Sequence, residues 1–497
     1  MTMSLSHADA TPREMRGLLP LWVGVGVYAL FLLAGNRLLI DPDTLWQITV
    51  GQWILDHRAV PETDVFSFTK QGQPWISTQW LAQVAYAKAF SLAGWSGPVV
   101  LAATAIAATL ALLAGCLSRR LSESTTLVFI AAALALTVPH LLARPHVLAL
   151  PLMVAWFAGL VAAADRGEAP PWRLLPLMVL WSNLHGGFVF GLVLIRPIAL
   201  DSVLAAEQAS RRALILRWAG FAFLALLGAC CTPYGWNTLL AAQKILNLGS
   251  ALPLIMEWKP ADFSSLSPLE LFLLSGIALA LYRGVRLPPL RIALLLGLLH
   301  MALAQGRAAE NLALVAPIVL AAPLARQIGG SDISTSLTPP ARGLLIASVT
   351  TLLIAGTLAY ASVHRFAPHM RGSPVQAVAE LKKLDVSRVF NDYDFGGYLI
   401  ANGVAPFIDG RTELYGEKFF VDHNAASGLM EPENLFRLLE EYRIEATLMR
   451  TQSAATKLLD HVDGWRKIYS DDIATIHLRE SSAVHTREPK VDARPMP

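Results

Sequence analysis

Ionisable side chains are sparse in this sequence, and those able to do chemistry cluster at the ends of apolar runs. Asp41 and Asp43 close the first run. Arg144 and His146 sit in ARPHVLALP, Asn183 and His185 in SNLHGGFVFG, Glu257 and Lys259 in EWKPADF, and Arg307 and Glu310 in QGRAAEN. Carboxylates can take a proton or hold a cation, and guanidinium or ammonium groups can hold an anion. At membrane depth such groups are costly unless they meet one another or a wet cavity. Five loops therefore point to one polar cleft at a membrane face. The densest polar-plus-glycine region lies further on, where NDYDFGGYLI and FIDGRTELYG carry Asp392, Asp394, Asp409 and Arg411.

Apolar helices must position most of these residues. Of 497 residues, 54% are hydrophobic and 15% charged, and the mean hydropathy is +0.47. A soluble domain carries about 25% charged residues, so a single soluble domain and a disordered chain are both excluded. The net charge of +3 is too small to argue for nucleic acid. Three cysteines, with Cys230 and Cys231 adjacent, form neither a disulfide framework nor a zinc spacing. Membrane spans are expected near 18–40, 97–117, 125–142, 147–164, 173–185, 187–206, 213–231, 266–282, 289–303, 310–325 and 342–362, about eleven in all.

Arginines alternate from end to end of these spans. Arg13/Arg16, Arg119/Arg120, Arg166/Arg173, Arg211/Arg212/Arg217, Arg283/Arg286/Arg291 and Arg326/Arg342 share one side, which the positive-inside rule makes cytoplasmic. An odd number of spans then puts the chain after about residue 365 outside. Arg196 alone falls well inside a span, facing the bundle or snorkelling. The expected organisation is a cytoplasmic N-terminus (1–17), a transmembrane domain (18–364) that includes an outer loop (41–80), a periplasmic α/β domain (365–480) and a disordered tail (481–497). In the α/β domain, SRVFND, APFIDG, ATLMR and ATIHLR read as strands and GYLIANG and ENLFRLLEEYRI as helices. Alternating strand and helix predicts a small, partly parallel sheet.

The outer loop opens with Asp41-Pro42-Asp43, which suits a helix start. Trp46, Val50, Trp53 and Ile54 then recur at helical spacing, as an amphipathic helix on the membrane would require. Trp46, Trp53, Trp75 and Trp80 read as interface anchors. Each candidate also has a purely structural reading. The two aspartates suit a cap and a first-turn acid. Arg144 and His146 can cap a hairpin, His185 can serve the Gly186-Gly187 turn, and Glu257 with Lys259 can form a surface ion pair. Arg307 and Glu310 are spaced as an i,i+3 helix pair. Asp392, Asp394 and Asp409 suit turns, or with Arg411 they line a loop that binds an acceptor.

A first span followed by an outward Asp-x-Asp motif and a loop helix resembles the GT-C superfamily of membrane glycosyltransferases. The stretches DPDTLWQITVGQWIL, VPETDVFSFTKQGQPWISTQWL, SNLHGGFVFG and NDYDFGGYLI…PFIDGRTELYG are similar to its bacterial dolichyl-phosphate-mannose/aminoarabinose-transferase-like branch. DYDFGGY also resembles the aromatic-Asp-Tyr-Gly signature of oligosaccharyltransferase catalytic subunits, without the leading tryptophans. The resemblance implies a polytopic α-helical membrane protein with a small extracytoplasmic α/β domain. It implies a polyprenyl-phosphate-linked sugar as donor, Asp43 or Asp41 as catalytic base, and an envelope glycan, lipid or protein as acceptor. Such chemistry needs a carboxylate to take the acceptor's proton and fixed positive charge beside the phosphate. Arg307 is the first choice for that contact, with Lys259, Arg144 and His185 behind it and Glu257 and His146 beside them. The cofactor is left open: a divalent cation at Asp41/Asp43 can be accommodated and is not required. The expected location is the bacterial inner membrane, among its lipids. Two other readings remain, a flippase for a lipid-linked sugar and a non-catalytic envelope assembly subunit. The first needs mid-membrane charges and paired broken helices. The second needs Asp41 and Asp43 to tolerate asparagine.

Overall fold

The computed structural model describes residues 17–246, 248–328, 339–368, 373–384 and 386–480. The expected cytoplasmic N-terminus, with Arg13 and Arg16, and the expected disordered tail after 481 lie outside these residues. The chain forms two compact units. One comprises Met1–Leu38, Ala89–Ala242 and Ile255–Ala367, and the other Leu39–Lys88, Gln243–Leu254 and Pro368–Pro497.

The first unit is helical. Among the described residues, seven helices are long and apolar enough to cross a membrane: Ser96–Leu117, Glu123–His140, Pro145–Asp165, Phe188–Ala205, Gln208–Ala229, Gly306–Ile328 and Ala341–Val363. Leu19–Leu33 and Pro289–Ala304 are apolar but shorter. The expected span at 18–40 breaks at Ala34 into Leu19–Leu33 and Gly35–Leu38. Those at 173–185 and 266–282 become the shorter helices Leu175–Leu184 and Pro268–Arg283.

Small residues set the packing. Ser96–Leu117 buries Ala102, Ala103, Ala107 and Ala114 and lies against Leu19–Leu33 and Pro145–Asp165. With no solvent to drive helices together inside lipid, close approach over small side chains is what holds them. At the C-terminal end of Pro145–Asp165, Asp165 pairs with Arg120 at 2.8 Å and with Arg291. Arg291 also holds Asp201 at 2.9 Å and donates to the Val319 carbonyl at 3.0 Å. Arg291 is thus a buried cross-brace between helices. Arg196 is exposed on the Ile195–Ala205 helix, away from the interior.

The second unit carries a four-stranded sheet of β1 (Val389–Asn391), β2 (Ala446–Arg450), β3 (Trp465–Ser470) and β4 (Ala474–Arg479), in the order β1-β2-β4-β3. β1 and β2 run parallel, with Val389 opposite Ala446; the other pairs are antiparallel. Val389, Leu448, Ile476 and Leu478 pack on Ala377, Leu381, Phe395 and Leu399. APFIDG forms no strand beyond an isolated bridge at Pro406, because the Asn391 side chain takes the Phe407 N–H at 2.7 Å. β3 was not expected from the sequence: WRKIYS is a partly exposed edge strand with no apolar alternation.

Residues 39–88, assigned from sequence to the transmembrane domain, pack in this second unit instead. The expected loop helix forms at Asp43–His57. Its Trp46, Val50 and Ile54 are buried with Trp75 and with Ile400 from the Gly396–Ala401 helix. Trp46 and Trp75, 2% and 3% exposed, are core residues and not interface anchors. The helical spacing was real, but protein covers the apolar face.

Candidate functional site

In the helical unit, the polar residues converge where Pro145–Asp165 begins. Arg144 is extended, and Pro145 occupies the first helical position, where its missing N–H costs nothing. Two short turns bring the partners. Met256–Trp258 carries Glu257 and Gly306–Ala308 carries Arg307. The Gly306 N–H donates to the Lys259 carbonyl at 2.8 Å, which ties the turns together. One Glu257 oxygen binds Arg144, and the other binds Arg307 at 2.8 Å. Two guanidiniums thus share one carboxylate and leave net positive charge. Burial pushes the Glu257 carboxyl up, but Arg144 and Arg307 outweigh it and hold it below the usual carboxylate range.

Behind this trio lie two buried groups. His146 Nε2 lies 3.0 Å from the His140 carbonyl and 3.8 Å from Glu310 Oε2. The His146 and His185 rings are 6.0 Å apart between centroids. His185 closes Leu175–Leu184, and its Nδ1 accepts the Gly187 N–H at 3.1 Å. The i,i+3 pairing of Arg307 with Glu310 gives way to Arg307–Glu257, since Glu310 turns toward His146. Lys259 contributes its carbonyl, and its side chain is exposed. The structure brings Arg144, His146, His185, Glu257 and Arg307 together here, whereas Asp41 and Asp43 lie in the second unit. The sequence does not single out His140, whose carbonyl holds His146 and whose ring interacts with Glu257 and the Gly306 backbone.

In the second unit, three motif stretches meet at Asp43. Asp41 Oδ1 accepts the Asp43 N–H at 2.7 Å, which shapes the turn. Asp43 Oδ1 accepts from Trp46 Nε1 at 3.0 Å. A Cβ on Gly410 would strike Asp43 Oδ1 and Trp46 Nε1, and one on Gly397 would strike the Pro42 carbonyl. At Gly397 the neighbour is backbone, so only glycine fits, and at Gly410 the Asp43 and Trp46 side chains fill the space a Cβ would take. For a divalent cation, Asp41 and Asp43 offer two carboxylates, and one oxygen of each already accepts a hydrogen bond. Among the described residues, no three or more His, Cys, Asp or Glu side chains are grouped to hold a metal ion.

Asp409 and Arg411 are corrections to the acceptor-binding reading. Both are fully buried and already paired with each other, with Asp64 and with Tyr415, so neither side chain is left to meet an acceptor. Arg411 binds Asp409 at 2.7 Å and Asp64 at 2.5 Å, and Tyr415 O–H donates to Asp409 at 2.6 Å. The Arg411 guanidinium also lies over Trp75, 4.8 Å from its centroid, and Trp75 Nε1 donates to Glu413 at 3.1 Å. Nothing in PETDVFSF marks Asp64 as the buried partner of a residue 347 positions away, and nothing in TELYG marks the Tyr415 hydroxyl as the partner of Asp409, six positions before it.

Asp394 remains half-exposed and pairs with Arg450, which also lies 3.4 Å from Asp392. These groups sit at the C-terminal ends of the parallel strands β1 and β2. Burial pushes the Asp392 carboxyl up to about 6 against the pull of Arg450. A pKa raised on folding adds stability in full below its unfolded value near 4 and loses it as the pH passes about 6. Asp392→Asn is expected to flatten the pH dependence of thermal unfolding of the solubilised chain between about pH 4 and 7. A slope identical to that of the wild type would show that Asp392 does not set it.

The structure thus defines a largely helical membrane protein with seven candidate spans among the described residues, and a second unit that carries a four-stranded sheet. No family model matches the sequence, and no curated protein matches it. Among solved structures, the chain is similar to the oligosaccharyltransferase AglB of the archaeon Archaeoglobus fulgidus. With the form bound to an inhibitory peptide and a dolichol-phosphate, identity is 11%, the TM-score 0.45, and coverage 92% of this chain and 74% of that one. The apo form gives 11%, a TM-score of 0.47, and the same coverage. The complex with zinc and sulfate gives 11%, 0.44, and coverage of 86% and 68%.

Proposed function

We propose that this chain is a membrane glycosyltransferase. It moves a sugar from a polyprenyl-phosphate carrier to an envelope glycan, lipid or protein on the periplasmic side of a bacterial inner membrane. The observation that carries this reading is the Arg144–Glu257–Arg307 trio at one end of an apolar helix of 21 residues, about 30 Å long. Its net positive charge suits a phosphate at a membrane face. At the helix's other end, Arg120, Arg291, Asp165 and Asp201 neutralise one another.

In the reaction, the bond between the anomeric carbon and the phosphate oxygen breaks and the acceptor oxygen bonds to that carbon. Phosphate leaves on its polyprenyl chain without needing a proton. Arg307 and Arg144 hold the phosphate as its charge grows, since their forks match its oxygens. Lys259, His185 and His146 are the further donor-side candidates, and Asp394 the remaining acceptor-side one. Asp43 takes the acceptor's proton, and Asp41 keeps its turn in shape. About eleven spans follow from the apolar runs, and a cytoplasmic N-terminus with residues 365–480 periplasmic follows from the alternating arginines. A flippase is disfavoured by Arg196, the one residue that spoke for it, because that side chain lies exposed on its helix.

The test is the envelope glycan profile of a deletion strain complemented with wild type or with Asp43→Asn. Loss of one sugar from the profile with Asp43→Asn, at normal protein level, is the expected result. Full restoration by Asp43→Asn removes Asp43 as the base and moves the test to Asp41→Asn. Full restoration by both variants leaves the assembly-subunit reading.

A further inference from the structure

Beside the arginine trio lie two buried acceptors with no donor. The His140 carbonyl can only accept, so His146 Nε2 carries the proton and Nδ1 is left as a lone-pair acceptor. Nδ1 has no hydrogen-bond partner, and neither has Glu310 Oε2, at 3.8 Å from Nε2. That separation is too long for a hydrogen bond. His146 and Glu310 are each only 5% exposed. A buried polar atom left unpaired costs about 1–3 kcal/mol, and here two acceptors face the same want of a donor. They are also held in place: His146 by the His140 carbonyl, and Glu310 by the first turn of Ala309–Ile328, where the helix dipole favours an acid.

We propose that His146 Nδ1 and Glu310 Oε2 form the sugar subsite of the donor, accepting hydrogen bonds from its hydroxyl groups. This rests on the proposed donor reading and deepens it. A polyprenyl-phosphate sugar presents two chemistries side by side, an anionic phosphate and a polyhydroxylated ring. The membrane end of this unit presents the complements side by side, guanidiniums and bare acceptors. Hydroxyl donors suit this place better than a cation, because Arg144 and Arg307 already supply positive charge next to it. A buried acceptor that only a hydroxyl can satisfy also discriminates strongly against a ligand lacking it.

The full chain in nanodiscs would be titrated with undecaprenol, undecaprenyl phosphate, and undecaprenyl phosphate carrying glucose, mannose or aminoarabinose. Wild type is expected to bind at least one glycosylated lipid tenfold or more tighter than undecaprenyl phosphate. Glu310→Gln is expected to abolish that increment and to leave the affinity for undecaprenyl phosphate within about twofold, and His146→Asn is expected to abolish the increment as well. The proposal is overturned if no sugar in the panel adds affinity. It is equally overturned if both variants keep the increment, which would assign the pair to a buried water only. Loss of both affinities in both variants would make the pair structural. Wild type binding undecaprenyl phosphate no better than undecaprenol would instead overturn the donor reading itself.

Discussion

Replacing Arg307 by glutamine is expected to lower the affinity of the full chain for undecaprenyl phosphate by roughly 100-fold, or about 3 kcal/mol. Two effects add. A charge-assisted contact to phosphate is lost, typically about 1.5–3 kcal/mol. In addition, Glu257, which now divides its two oxygens between Arg144 and Arg307, is left with one partner. The trio's net charge falls to zero, and the Glu257 carboxylate faces the anion with one guanidinium beside it instead of two. Arg307→Lys keeps the charge without the planar fork and is expected to fall between, near tenfold.

Glu257→Gln separates this explanation from a purely architectural one. If the arginines exist to hold phosphate, Glu257 competes with the ligand, and Glu257→Gln leaves lipid binding unchanged or tightens it. If the trio only pins the Met256–Trp258 and Gly306–Ala308 turns, Glu257→Gln weakens binding as much as Arg307→Gln does. Titration of the three variants with undecaprenyl phosphate and with undecaprenol decides between the two. Equal losses for Glu257→Gln and Arg307→Gln would withdraw the phosphate role.

How much of this was legible in the sequence depended on the range of the interaction. Arg144, His146, Glu257 and Arg307 were legible because an ionisable group at the end of an apolar run has few places to go, and lipid cost drives such groups together. The particular partners were not. Spacing offered Arg307 to Glu310 along one helix, whereas the turn carrying Glu257 came closer, tied by the Gly306 N–H. The loop helix Asp43–His57 was legible from the spacing of Trp46, Val50 and Ile54. What covers that face was not, because an amphipathic stripe reads alike whether lipid or the Gly396–Ala401 helix lies on it. The edge strand β3 was hidden for the opposite reason: a half-exposed strand needs no apolar alternation.

Arg411 shows the same limit in its strongest form, and its replacement should have the largest effect on stability. Arg411→Met is expected to destabilise the second unit by about 3–5 kcal/mol, because it leaves the buried carboxylates of Asp64 and Asp409 unpaired. Limited proteolysis should then open residues 39–88 and 389–480 together, since Arg411 joins Asp64 in the first stretch to Asp409 in the second. Asp64→Asn combined with Asp409→Asn and Arg411→Met is expected to recover most of that loss. A buried ion set replaced whole is often neutral, while one partner removed alone is not. Arg411→Lys keeps one charge but can neither reach both aspartates with a fork nor cover Trp75 in the same way, so an intermediate loss is expected. Buried architecture and acceptor contact predict opposite behaviour here. If Arg411→Met kept the wild-type melting temperature and protease resistance but abolished transfer, Arg411 would be facing the acceptor. If stability falls and the triple variant restores it, the FIDGR motif is the clasp that closes the outer loop onto the sheet, and Asp43 owes its position against Gly410 to that clasp.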